Sequence, residues 1–190
     1  MKRSLLLTVA LAALAVGAAG WVAQSYTFDS SSKIWVEGTS TVHDWECQVD
    51  QFAGTVNAEA AEASFAELSG TTLTVPVQGI DCDNGTMNGK VRDALGSSAI
   101  RYALTDAEVG APQADGWFPI QTTGRLTIAG ETQNVQMAVK GKMVDGGRFR
   151  LTGQHAFQMT DFGVDPPTAM FGTLKTGDEV TVHFDATISR

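Results

Sequence analysis

The run "EVTVHFDATIS", Glu179 to Ser189, alternates without a break. Val180, Val182, Phe184, Ala186 and Ile188 share one parity, and Thr181, His183, Asp185 and Thr187 share the other. Successive side chains of a strand point to opposite faces, so this pattern predicts a strand with one face in a core and one in water. Working outward, the same alternation recurs. "RFRLTGQHAFQM" sets Phe149, Leu151, Phe157 and Met159 against Arg148, Arg150, Thr152, Gln154 and Gln158. "NVQMAVKGKM" sets Val135, Met137, Val139 and Met143 against Gln136, Lys140 and Lys142. Shorter runs do likewise: Leu73, Val75 and Val77; Ile100, Tyr102 and Leu104; Leu126 and Ile128. Ala129-Gly130 and Asp145-Gly146-Gly147 predict tight hairpins between them. Thr176-Gly177-Asp178 and Asp165-Pro166-Pro167 read as loops. Such strands, each with one apolar face, predict a closed antiparallel barrel or a sandwich.

One segment keeps a different period. In "GTMNGKVRDALGSS", Met87, Val91 and Leu95 recur every four residues, with Thr86 as the expected N-cap and Gly96 as the stop. A helix this short is marginal alone, so it needs an apolar surface to rest on. The open end of a barrel supplies one.

The first twenty residues have a different character. Lys2 and Arg3 precede an apolar run from Leu5 to Val16, and small residues fill Gly17 to Gly20. That is the layout of a secretory signal peptide, so we expect residues 1–20 to be removed after Ala19 or Gly20, leaving 21–190 as one domain. The expected location is the periplasm or the outside of the cell, with no membrane span after signal removal. The remaining chain carries eleven basic against twenty-one acidic residues, a net charge of about −10. That sign argues against nucleic acid or an anionic membrane surface as a partner.

The order of these pieces resembles a known family. A strand opening in "IWVEGTSTVHDW" is followed by "MNGKVRDAL", "IRYALTDAEV", "GRLTIAGETQNVQMAVKGKM", "FQMTDFGVDPP" and "GDEVTVHFDATI". From Tyr26 to Ile188 this succession is similar to the YceI-like family of exported lipid-binding proteins. The resemblance implies an all-β fold, an eight-stranded antiparallel lipocalin-like barrel with one short capping helix. It also implies binding of a long isoprenoid or other long-chain amphiphile in the lumen, without catalysis or cofactor. The chain departs from the commonest family pattern in "STVHDWECQV", Ser40 to Val49, and in its cysteine pair.

With an inward apolar parity, the expected lipid-binding wall comprises Val75, Val77, Tyr102, Leu104, Met137 and Val139, then Leu151, Phe157, Met159, Val182 and Phe184. Phe162 joins them, and Met87, Val91 and Leu95 form the lid. Thioethers and aromatic rings make an adaptable lining for a flexible chain. A tail of about 40 carbons, at about 0.3 kcal/mol per heavy atom, reaches ~12 kcal/mol, which is nanomolar. The alternative is a packed barrel acting through its loops on another protein.

Cys47 and Cys82 lack C-x-x-C spacing, and with three scattered histidines they form no standard zinc pattern. In an exported chain they fit a disulfide. Closing a loop of that length should contribute about 4 kcal/mol. His43 and His155 fall on apolar parities, either as neutral rings bonded to backbone or as contacts for a ligand head group such as a quinone carbonyl or a phosphate. His183 falls on a polar parity and should be solvated. There is no G-x-S-x-G elbow, no H-E-x-x-H and no Gly-rich phosphate loop. The sequence is expected to be neither enzyme nor metal site.

Overall fold

The computed structural model describes residues 23–169 and 173–190, so the expected export signal lies outside the described residues. The strands in chain order are β1 (Gln24–Phe28), β2 (Lys33–Ser40), β3 (Trp45–Val49), β4 (Ala53–Ala60), β5 (Phe65–Val75) and β6 (Ile80–Asp81). Helix α1 (Gly85–Leu95) follows. Then come β7 (Ile100–Val109), β8 (Trp117–Ile128), β9 (Glu131–Val144), β10 (Arg148–Gln158), β11 (Thr168–Ala169) and β12 (Leu174–Ser189).

Register shows how these pieces make a barrel. Strand β12 has β10 on one side, from Phe149 opposite Ile188 to Gln158 opposite Glu179. On its other side lie β2, with Ile34 opposite Phe184, and β1, with Phe28 opposite Ile188. So β1 and β2 follow one path, broken only by a turn in which Ser32 N–H donates to the Asp29 carbonyl at 3.0 Å. The pairs β3 with β4 and β5 with β6 are interrupted in the same way, since β1 pairs β4 where β2 pairs β3, and β5 pairs β4 where β6 pairs β3. Among the described residues this gives eight antiparallel runs in meander order, closed by β12 against β1 and β2. Eight strands enclose a space just wide enough for side chains or one small ligand.

Which of the two fills the space differs along the axis. At one end Tyr26, Phe65, Phe118 and Phe149 are 0–2% exposed and pack ring against ring. The Phe65 and Phe149 centroids are 4.3 Å apart, and Phe118 meets Phe65 edge-on at 5.6 Å. Val56, Ala58, Leu68, Ile120, Val139, Leu151 and Ile188 complete this plug. Aromatic pairs of this geometry add about 0.5–1.5 kcal/mol beyond their burial.

At the other end the chain is folded by local devices. Ala129 (φ 50°) and Gly130 (φ 93°) form the two-residue hairpin between β8 and β9, and such a turn needs positive φ at both positions. Helix α1 spans the gap between β6 and β7. Its N-cap is Asn84, whose Oδ1 accepts from the backbone of Thr86 and Met87, so Thr86 sits inside the first turn rather than capping it. Gly96, at φ 69°, ends the helix as expected. No helical residue is fully buried. The helix is held by its ends and by Met87, Val91 and Leu95 against Val75, Ile80 and Cys82.

Two other expectations are corrected. Thr176 to Asp178 is no loop; it lies within β12 as a register shift against β2, between Thr176 and Val180. Val77 does not continue the inward parity of β5. Pro76 has no N–H for the ladder, and Val77–Gly79 winds into a 3₁₀ turn that buries Val77 off the cavity lining.

Candidate functional site

Above the aromatic plug the barrel is hollow. A cavity of about 570 Å³ lies between the plug and α1, within the range of small-molecule sites. Every residue expected at the lumen lines it except Val77. Strand β7 contributes Tyr102 and Leu104, β9 contributes Met137 and Val139, and β12 contributes Val182 and Phe184. Val75, Leu151, His155, Phe157, Met159 and Phe162 complete that set on the wall, and Met87, Val91 and Leu95 close it from α1.

The wall also holds Ile34, Val36 and Trp45, outside the expected set, and Leu73 and Val180, whose apolar parity the sequence had marked without assigning them to the lumen. Ile34 and Val36 alternate within "KIWVEG" and could have been found by parity. Leu126 and Ile128 were recognised as an apolar face, and that face lines the cavity too.

The rim is polar and local. Exposed lining residues His43, Asn84 and Thr86 gather between the β2–β3 loop and the first half of α1, which locates the mouth. Lys90, the sole lysine or arginine among the described lining residues, donates from Nζ to the Thr168 carbonyl at 2.7 Å. It ties α1 to β11 across this opening. The far half of α1 is sealed: Ala94 and Leu95 pack with Ile128, Phe162 and Val164.

Phe162 is placed by a well-anchored turn, Met159–Phe162. Asp178 Oδ1 accepts from Thr160 N–H, its Oδ2 accepts from the Thr160 hydroxyl at 2.6 Å, and Gln133 Nε2 donates to the Asp161 carbonyl. Gly163 in the left-handed region closes that turn.

Cys47 and Cys82 form a disulfide. It joins β3 to the residue after β6, next to the Gln48–Asp81 pair, so it staples adjacent wall strands where the chain turns into α1. Asn88 Oδ1 accepts from Cys82 N–H at 2.7 Å, and Asn88 Nδ2 donates to Asp81 Oδ1. The Asn88 amide, with help from Asp83 N–H, holds the exposed Asp81 carboxyl below the usual carboxylate range. Helix and disulfide thus share one corner. The bridge also removes Cys47 as a thiolate nucleophile.

The three histidines divide. His155 lines the cavity, half-buried and stacked on Phe157, and burial holds its pKa below the ordinary value, favouring the neutral ring. His43 is not interior; it stands exposed at the mouth, its Nδ1 2.7 Å from the Asp44 carbonyl. His183 does face outward, but it is not merely solvated. It stacks on Trp35 at 5.0 Å and places Nε2 3.1 Å from Glu37 Oε2.

A closed eight-stranded meander, a single helix over one end, and a matching family model across residues 26–188 agree. The chain belongs to the YceI-like family. Solved structures with the same fold include BcnA of Burkholderia cenocepacia (TM-score 0.66, 17% identity, covering 86% of this chain and 99% of that one). A polyisoprenoid-binding domain from Saccharophagus degradans, implicated in plant cell wall breakdown, is alike (TM-score 0.65, 13% identity, 86% and 97% covered). So is the Campylobacter jejuni YceI protein (TM-score 0.58, 13% identity, 76% and 84%). At these identities the likeness is one of fold. No curated protein matches the chain in sequence.

Proposed function

We propose that this YceI-like chain is an exported carrier that buries an isoprenoid-like or other long-chain amphiphile in its barrel, in the periplasm or outside the cell, without catalysis. The observation that carries this reading is a cavity of about 570 Å³ whose wall is mostly aliphatic, thioether and aromatic, with the exposed polar residues His43, Asn84 and Thr86 at one mouth. A flexible apolar chain fits such a space because burial is non-directional: each methylene removed from water contributes about 0.8 kcal/mol gross. After the costs of ordering, about 30 buried heavy atoms at ~0.3 kcal/mol each reach ~9 kcal/mol, a sub-micromolar affinity. The polyisoprenoid-binding domain of Saccharophagus degradans supports the choice of ligand class. The signal-like residues 1–20 support export.

A fluorescent fatty probe tests this directly. The reading expects saturable binding at one per chain, displaced by added polyprenyl alcohol and abolished by Met137→Arg, which puts a charge on the wall. Non-saturable binding, or binding indifferent to Met137→Arg in a folded variant, would overturn it.

A further inference from the structure

On the carrier reading, the level at which the hollow half meets the solid half decides how much of a lipid tail the barrel can take. Leu68, Val139 and Leu151 belong to the plug cluster and also line the cavity. Each keeps 8% of its surface exposed, whereas Tyr26, Phe118 and Phe149 in the same cluster keep 0–1%. The three aliphatic side chains are therefore the floor, and the rings lie sealed beneath it. Those rings touch one another, with the Phe65 and Phe149 centroids 4.3 Å apart, so a tail that reaches the floor goes no further.

Register gives the height of the space above. Leu151 faces Ala186 across the β10–β12 ladder. From that level the wall climbs two residues along β12 to Phe184, which faces Ile34, and six more along β2 to Ser40, beside the mouth. Eight residues at about 3.3 Å each, on strands tilted about 40°, rise ~20 Å along the barrel axis. An extended hydrocarbon with bonds of ~1.5 Å advances about 1.3 Å per carbon, so roughly 16 main-chain carbons fill that height.

The two ends of this column also differ in chemistry. At the mouth stand exposed His43, Asn84 and Thr86 and the Lys90 ammonium. At the floor the three side chains are hydrocarbon. Thr122, opposite Met137 and one inward step above the Val139 level, already donates its hydroxyl to the Met137 carbonyl at 3.1 Å. A charged head carried down to the floor would lose its water without a counterion, and at the mouth it keeps that water.

We infer that the barrel measures its ligand: the lipid lies tail inward, with its terminal methyl on Leu68, Val139 and Leu151 and its head at the mouth. A main chain of about 16 carbons, or about four isoprene units, fills the column when extended. A longer straight tail leaves its surplus beyond the mouth, in water, where further carbons add nothing to affinity.

Unbranched fatty acids from decanoic to docosanoic, competed against the fluorescent fatty probe on the mature disulfide-bonded protein, test the ruler. Affinity should rise severalfold with each added pair of carbons up to about palmitic acid, then level off. Leu151→Ala lowers the floor and should move that break up by about two carbons. Leu151→Phe raises the floor and should move it down by about as much. Val139→Ala, on the neighbouring strand, should repeat the upward shift and stands in if a Leu151 variant fails to fold. Decanoic acid stops short of the floor, so its affinity should stay within about twofold across these proteins. A break at one length in every protein, no break as far as docosanoic acid, or a change for decanoic acid as large as that for palmitic acid would overturn the ruler and leave the carrier reading standing. Absence of saturable binding for every acid and for the probe would overturn both.

Discussion

The two ends of this barrel are built from the same alternation of residues and come to opposite results. At the plug, Tyr26, Phe65, Phe118 and Phe149 reach across the lumen and meet, so the interior is filled by side chains. At the helix end, Met87, Val91, Leu126 and Val182 line a space that stays open between them. The difference teaches that an eight-stranded barrel sits at a threshold of width. Four large rings decide which half is core and which is container. The hollow half forgoes packing and is held by other means, namely the Cys47–Cys82 bridge, the Asn88 amide and the Lys90 link to Thr168.

Truncation should separate the ends most strongly. Phe118→Ala at the plug removes a fully enclosed ring and is expected to cost about 3–5 kcal/mol. Met87→Ala, on the lid that already borders empty space, should cost about 1 kcal/mol. Urea unfolding of the two variants checks this, and equal losses would break the comparison. Next in size is the bridge. Replacing both cysteines by alanine opens a loop of 35 residues and should cost about 4 kcal/mol or somewhat less. Hydrogen exchange should then speed up in α1 while the amides of Phe118 and Ile120 stay protected. Uniform acceleration would show the ends to be one cooperative unit.

Much of this contrast was out of reach of the sequence, for a definite reason. Period two reports which face of a strand is buried, so the parities of β8, β9, β10 and β12 were legible and led to nearly the whole cavity wall. It does not report depth along the strand. Nothing in "WFPIQTTGRLTI" says that Phe118 packs solid while Leu126 faces a void. Local misreadings have local causes. Pro76 turns Val77 out of phase, and a bulge lets Thr176 to Asp178 remain in a strand despite their turn-like composition. Asn84 competes with Thr86 for the cap and wins because its side chain reaches two N–H groups.

The smallest expected effect sharpens the electrostatic side of the hollow end. His155 has a folded pKa held below its unfolded value by burial. The unfolded chain therefore takes up a proton more readily, and stability should fall as pH drops below about 6.5 towards the folded pKa. Above that value the ring is neutral in both states and the contribution is flat. His155→Leu should remove this slope between wild type and variant in thermal melts. An unchanged slope would place the ring in water.

The central claim is that the hollow end holds a lipid. Native mass spectrometry of secreted, mature protein, followed by solvent extraction and mass identification, tests it most directly. The account predicts one adduct of long-chain lipid mass per chain, lost in Met137→Arg and retained in the Lys142→Ala control on the outer face. A clean apo mass that takes up no added polyprenyl compound would contradict it.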